Sequence, residues 1–156
     1  AVDQLLVTHR DLKPGNLFVS TRMKHMVLTD FGLARAVGLT ASITATGIVV
    51  GTPSYTPPER LRDSKSATAK GDLYSLGVVM YEAMTGERLF RATTLPEIVQ
   101  LVDTWHPPRP SRFNAAIPPA LDEYVLNLLE KRPEHRVGSA AMLADALAEV
   151  ATSVRG

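Results

Sequence analysis

The densest chemistry in this 156-residue chain lies in one run, His9-Arg10-Asp11-Leu12-Lys13-Pro14-Gly15-Asn16. A carboxylate followed closely by a lysine and an asparagine suits several tasks. Asp11 can take a proton from a hydroxyl nucleophile that comes within hydrogen-bond reach. Lys13 can neutralise charge on a transferring phosphoryl group. Asn16 offers a neutral oxygen to a hard cation such as Mg²⁺. A second run, Asp30-Phe31-Gly32, adds a carboxylate suited to the same kind of cation, and Gly32 frees the backbone to change direction.

These residues need elements to hold them. Residues 1–35 hold short apolar runs at Leu5 to Val7, Leu17 to Val19 and Met26 to Leu28. The last two are split by a polar stretch, which predicts a hairpin. Residues 36–52 are rich in Thr, Ala and Gly without periodicity and read as a loop, and Pro53, Pro57 and Pro58 keep the next stretch irregular. From Asp72 to Thr85 the chain is apolar at helical spacing on every side, which predicts a buried helix stopped by Gly86. A shorter helix is expected over Leu95 to Val102. Five prolines between His106 and Pro119 keep that stretch extended or turning. Pro119 opens another helix, with Asp122 and Glu123 in its first turn favouring the helix dipole. Ser139 is the expected N-cap of a final amphipathic helix through Val150. The sum is mainly helical, with a small strand-and-loop face carrying the polar residues.

Composition excludes several classes of function. A hydrophobic fraction of 45% and a charged fraction of 21% are ordinary for a globular domain. A net charge of +1 gives no field for nucleic acid or for an acidic membrane surface. The absence of cysteine rules out disulfides and thiolate metal sites and fits a reducing compartment. No apolar run approaches the length of a membrane span, so the expected location is the cytoplasm, and any anchor would lie outside these residues.

Taken together, the two runs resemble the catalytic loop and the DFG motif of protein kinases. The resemblance implies that Asp11 orients and deprotonates a substrate hydroxyl, and that Asn16 and Asp30 hold Mg²⁺. It also implies that Lys13 contacts the γ-phosphate of ATP, as in the serine/threonine subtype, and that Leu17 packs under the adenine. Gly51-Thr52-Pro53-Ser54-Tyr55 and Pro57-Pro58-Glu59 resemble the segment that seats the acceptor residue, with Pro57 standing where Ala is usual. Thr52 would bond the catalytic aspartate and lysine, so the acceptor is expected to be a Ser or Thr hydroxyl of a protein. Asp72 would accept hydrogen bonds from the catalytic-loop backbone, and Arg136 would pair with Glu59. His9 and Phe31 take structural roles in the family, as does Gly32. Arg10 marks the subtype ordered by phosphorylation, which makes Thr44 and Thr46 candidate phosphosites in a run that looks most like bacterial eukaryote-type kinases.

The bland readings are weaker for the first motif than for the rest. A lone DFG would recur by chance, whereas eight matching residues followed by three further motifs in order would not. His25, His106 and His135 lack metal-ligand spacing and read as solvated. Trp105 reads as packing, and Thr40 and Ser42 as polar loop residues. The chain contains no glycine-rich loop, no strand lysine in a V-A-I-K context and no helix glutamate to pair with it. The expectation is thus a partial kinase domain over residues 1–156, with a catalytic loop at 9–16, an activation segment at 30–59 and a helical part at 71–153. This is the carboxy-terminal lobe of an α+β fold. Its missing partner would be the amino-terminal lobe, and it would be inactive or nearly so alone, with an exposed apolar surface where that lobe docks. Two other readings stay open: a non-catalytic kinase-like module that binds proteins, and a small-molecule phosphotransferase. The second lacks counterparts of residues 51–59 and of the Asp72 helix.

Overall fold

The computed structural model describes residues 8–20, 22, 25–30, 42–43, 49–50, 53–63 and 65–155. Leu5 to Val7, Phe31, Gly32, Thr40, Thr44, Thr46 and Thr52 lie outside them. The architecture is mainly α. Strands β1 (Leu17–Ser20) and β2 (His25–Leu28) form an antiparallel hairpin in which Leu17 faces Leu28 and Ser20 faces His25. Helices α1 (Pro58–Arg62), α2 (Ala69–Thr85), α3 (Leu95–Thr104), α4 (Pro119–Leu128) and α5 (Ala140–Arg155) follow.

Helix α2 is the centre of the core. Tyr74, Val78 and Tyr81 are buried with Leu89, Phe90, Ile98, Val102, Val125 and Leu129, while Leu73 joins Leu128 and Leu143 in a second cluster. The burial is not all-round: Leu76, Val79 and Met80 are half-buried and Ala83 is exposed, so one stripe of this apolar helix stays uncovered among the described residues. Gly77 allows the closest approach, since a Cβ there would stand 2.7 Å from the Cβ of Leu128 in α4. The helix begins three residues earlier than its periodicity suggests, because the Thr68 side chain caps it by accepting from the Gly71 N–H. It ends at Gly86, whose φ of 72° is the left-handed value that favours glycine. Helix α3 runs two residues beyond Val102 and opens with a capping box between Thr94 and Glu97. The Ser139 hydroxyl accepts from the Met142 N–H at the start of α5.

Two expectations change. Within the stretch read as loop, β3 (Ser42–Ile43) pairs antiparallel with β4 (Val49–Val50), and two-residue strands are too short for periodicity to reveal. The proline-rich stretch after residue 52 is not simply irregular. It holds a 3₁₀ turn at Pro53–Tyr55 and helix α1, where Pro58 occupies a first-turn position that needs no N–H donor. Asp122 also does more than favour a dipole. It is buried, and its carboxylate accepts from both the N–H and the hydroxyl of Ser111, which ties the proline-rich connection to α4.

Large apolar side chains are exposed on both faces of the β1–β2 hairpin, with Phe18 opposite Val27 and Val19 opposite Met26. Trp105 is partly exposed and meets Phe90 edge to face. His25, His106 and His135 are exposed. Among the described residues, no helix is long and apolar enough to cross a membrane.

Lys131 is an anomaly in this core. Its Nζ is buried, lacks a hydrogen-bond partner among the described residues, and lies 6.0 Å from the centre of the Phe90 ring. Burial pushes the amine from 10.5 down to about 8, against the pull of Asp103 and Glu130. Between those two values the unfolded chain holds a proton that the folded one has released, so this group makes stability rise from pH 8 toward pH 10. Below pH 8 its cost is constant. Lys131→Met is therefore expected to be more stable than the wild type at pH 7, with the gap closing toward pH 10. Denaturation midpoints taken at unit pH intervals read this directly, and a gap independent of pH would contradict it.

Candidate active site

The polar face begins at a strained turn. Arg10 has a φ of 70°, a conformation that costs a non-glycine residue about 1–3 kcal/mol and persists only where neighbours enforce it. Enforcement comes from Asp72 on α2. Its Oδ2 accepts from the His9 N–H at 2.6 Å and its Oδ1 from the Arg10 N–H at 2.8 Å. Hydrogen bonds to a carboxylate contribute about 1.5–3 kcal/mol each, enough to offset the strain. On the other side of the turn, the Arg10 carbonyl accepts from Nη1 of Arg60 in α1.

His9 is buried and uses both ring nitrogens. Nε2 meets the Thr29 carbonyl at 2.7 Å, and since a carbonyl only accepts, the proton is on Nε2. Nδ1 then accepts from the Asp11 N–H at 3.3 Å. The ring thus joins the loop at residue 11 to the end of the hairpin.

Beyond the turn three polar side chains converge. The Lys13 ammonium donates to Asp11 Oδ2 at 2.7 Å. Asn16, buried in the 3₁₀ turn Pro14–Asn16, donates from Nδ2 to the Asp11 carbonyl at 2.7 Å and to Asp11 Oδ2 at 3.3 Å. With its amide nitrogen committed to Asp11, the Oδ1 of Asn16 is the atom left for a cation. The Asn16 carbonyl accepts from the Thr29 N–H at 3.0 Å, which brings residues 29 and 30 beside it. Asp30 is exposed and has a φ of 62°, a left-handed conformation that aspartate adopts more readily than most residues. The Asn16 amide oxygen and the Asp30 carboxylate are hard donors, of the kind that suits Mg²⁺ rather than a thiophilic metal. Leu17 follows directly as the first, half-buried residue of β1.

The segment entering α1 is fastened to α2 and to the chain beyond α4. The Ser75 hydroxyl donates to the Tyr55 carbonyl at 2.7 Å, and the Tyr55 hydroxyl donates to Glu82 at 2.6 Å. Burial and that carboxylate push the Tyr55 phenol above its ordinary value. Arg136 meets Glu59 as a fork, Nη1 to Oε1 and Nη2 to Oε2, both at 2.8 Å. Its other donors reach the carbonyls of Glu130, Lys70 and Lys131, so all five N–H groups are used. The guanidinium also lies 4.9 Å from the centre of the buried Tyr74 ring.

Asp11, Lys13 and Asn16 thus form one cluster, with Asp30 adjacent and Asp72 and His9 beneath it. Glu59 and Arg136 form a separate anchor. Phe31, Gly32, Thr44, Thr46 and Thr52 lie outside the described residues. Arg60 and Glu82 escaped sequence reasoning, and the bonds of Tyr55 and Ser75 did too, since each runs through a backbone carbonyl or a distant hydroxyl that leaves no local pattern.

The protein kinase domain model matches residues 3–147. The chain is 40% identical over 136 residues to the serine/threonine-protein kinase PknB of Mycolicibacterium smegmatis, covering 86% of the chain and 21% of that protein. It is also 40% identical over 141 residues to PknL of Mycobacterium tuberculosis, covering 89% and 34% respectively. Pkn1 of Myxococcus xanthus is 35% identical over 144 residues, covering 90% and 21%. The chain therefore spans a fifth to a third of the length of these curated relatives.

The Arg136 side chain is fully buried, so removing its counter-charge leaves a guanidinium with carbonyl partners alone. Glu59→Gln is expected to cost about 3–5 kcal/mol, read as a lowered midpoint in urea. An unchanged midpoint would mean that the three carbonyls suffice.

Proposed function

The chain belongs to the protein kinase domain family, and on that footing we propose that it carries the phosphoryl-transfer residues of a serine/threonine protein kinase. The observation that supports this most is the cluster in which Lys13 Nζ and Asn16 Nδ2 both meet Oδ2 of Asp11. In this reading Asp11 accepts the proton of a protein Ser or Thr hydroxyl as that oxygen attacks the γ-phosphorus of ATP, and the bond to the β–γ bridging oxygen breaks. Asn16 clamps Asp11 through its backbone carbonyl and holds the loop in register. Lys13 sits where it can move from the carboxylate to the phosphoryl oxygens as they approach. Asn16 Oδ1 and the Asp30 carboxylate would hold Mg²⁺, which when bound neutralises phosphate charge. Leu17 supports the adenine, and Thr52 bonds Asp11 and Lys13 to seat the acceptor. Phosphate on Thr44 or Thr46 pairs with Arg10.

These residues include no glycine-rich loop or strand lysine to cover the nucleotide. Since positioning and exclusion of water supply most of the catalysis in phosphoryl transfer, turnover needs a segment outside them, which also covers the apolar hairpin. The proposed location is the cytoplasm, with protein substrates.

The test is a γ-phosphate transfer assay on the full-length protein that carries these residues. Wild type is expected to phosphorylate itself or a Ser/Thr protein, and Asp11→Asn to lower the rate about a hundredfold to ten-thousandfold. A folded wild type without transfer would favour the non-catalytic, protein-binding reading.

A further inference from the structure

Arg60 occupies an unusual position. It lies one residue after Glu59 on α1, yet the two side chains serve different parts of the molecule. Glu59 is gripped by Arg136, whereas Arg60 reaches back and donates from Nη1 to the carbonyl of Arg10. Its Nε is buried with no hydrogen-bond partner among the described residues. Burial lowers its proton affinity, the charges of Asp11 and Asp72 oppose that, and Arg10 adds to it. A half-buried guanidinium with an idle donor is poor economy for stability.

The geometry has another use for it. Arg10 is held left-handed, with its N–H fixed by Asp72. A bond to the Arg10 carbonyl fixes the following peptide plane, the one whose N–H belongs to Asp11. Asp72 and Arg60 therefore grip the same strained residue from its two ends, and the next residue in the chain is the proposed base. Helix α1 takes in the end of the segment proposed to seat the acceptor hydroxyl, at Pro58 and Glu59. Through Arg60, the position of that segment and the aim of the Asp11 carboxylate become one variable.

Resting on the kinase reading above, we propose that Arg60 is a positioning residue for phosphoryl transfer. It locks the Arg10–Asp11 peptide and couples the acceptor-seating segment to the base. Its contribution is to orientation, so its loss lowers kcat rather than nucleotide binding.

The experiment compares wild type, Arg60→Met, Arg60→Gln and Arg60→Lys in the full-length protein, reading kcat, KM for ATP and the thermal midpoint. Arg60→Met keeps the bulk and removes every donor. It is expected to lower kcat about ten- to a hundredfold, with the ATP KM within about twofold and the thermal midpoint unchanged or raised. Arg60→Gln, shorter but still a donor, should fall between Met and wild type, and Arg60→Lys, which keeps a donor and the charge, should recover most of the rate. A kcat within twofold of wild type in Arg60→Met overturns the proposal. So does a loss that follows the thermal midpoint down and is not recovered by lysine, since that marks a merely structural role. A wild type that transfers no phosphate overturns the kinase reading itself, and the Arg60 proposal with it.

Discussion

The Asp72 carboxylate accepts two consecutive main-chain N–H groups, those of His9 and Arg10, and this double bond of charge to backbone organises the whole polar face. It reaches across more than sixty positions of sequence, from the first turn of the most buried helix to the loop that bears Asp11. Without such a partner a left-handed arginine would relax, because nothing intrinsic to the residue favours that conformation. The loop's shape is therefore imposed from below, by a helix held in place by the packing of Leu73, Tyr74, Val78 and Tyr81.

The rest of the site is built outward from that point. His9 passes the constraint to Thr29 through Nε2, and Asn16 passes it to the same residue through its carbonyl, so the two carboxylates at 11 and 30 are set by one short network. A second frame, Arg136 with Glu59, fastens α1 to the chain between α4 and α5 with every guanidinium donor used. Arg60 stands between the frames. A packed helical base with polar groups on irregular backbone is the arrangement that the proposed phosphoryl transfer would need, since packed helices hold loop residues still.

Much of this is legible in the sequence. All-round apolarity announced α2 as the buried helix, Gly86 marked its end, and the prolines before Pro119 marked the extended connection. The early start of α2 was not legible, because capping by Thr68 is a matter of one hydroxyl rather than of pattern. Helix α1 was hidden by prolines that read as breakers but sit at helix entry. The Asp11, Lys13 and Asn16 cluster was visible as a dense local motif. Asp72, Glu59 and Arg136 were visible only through resemblance, since residues 77 positions apart share no period. Arg60 was visible through neither, because its partner is a backbone carbonyl present at every residue of every chain.

Asp72 holds the loop that bears Asp11 in a conformation it would otherwise leave. Hydrogen exchange measured amide by amide in wild type and Asp72→Asn tests it most directly. Asparagine keeps the shape but offers one acceptor oxygen to two donors and turns an NH₂ toward the other. The account predicts that the His9 and Arg10 amides exchange about ten- to a hundredfold faster in the variant, while amides in the middle of α2 such as Val78 and Tyr81 keep their protection. Unchanged exchange at His9 and Arg10, or a uniform rise across the whole chain, would contradict it.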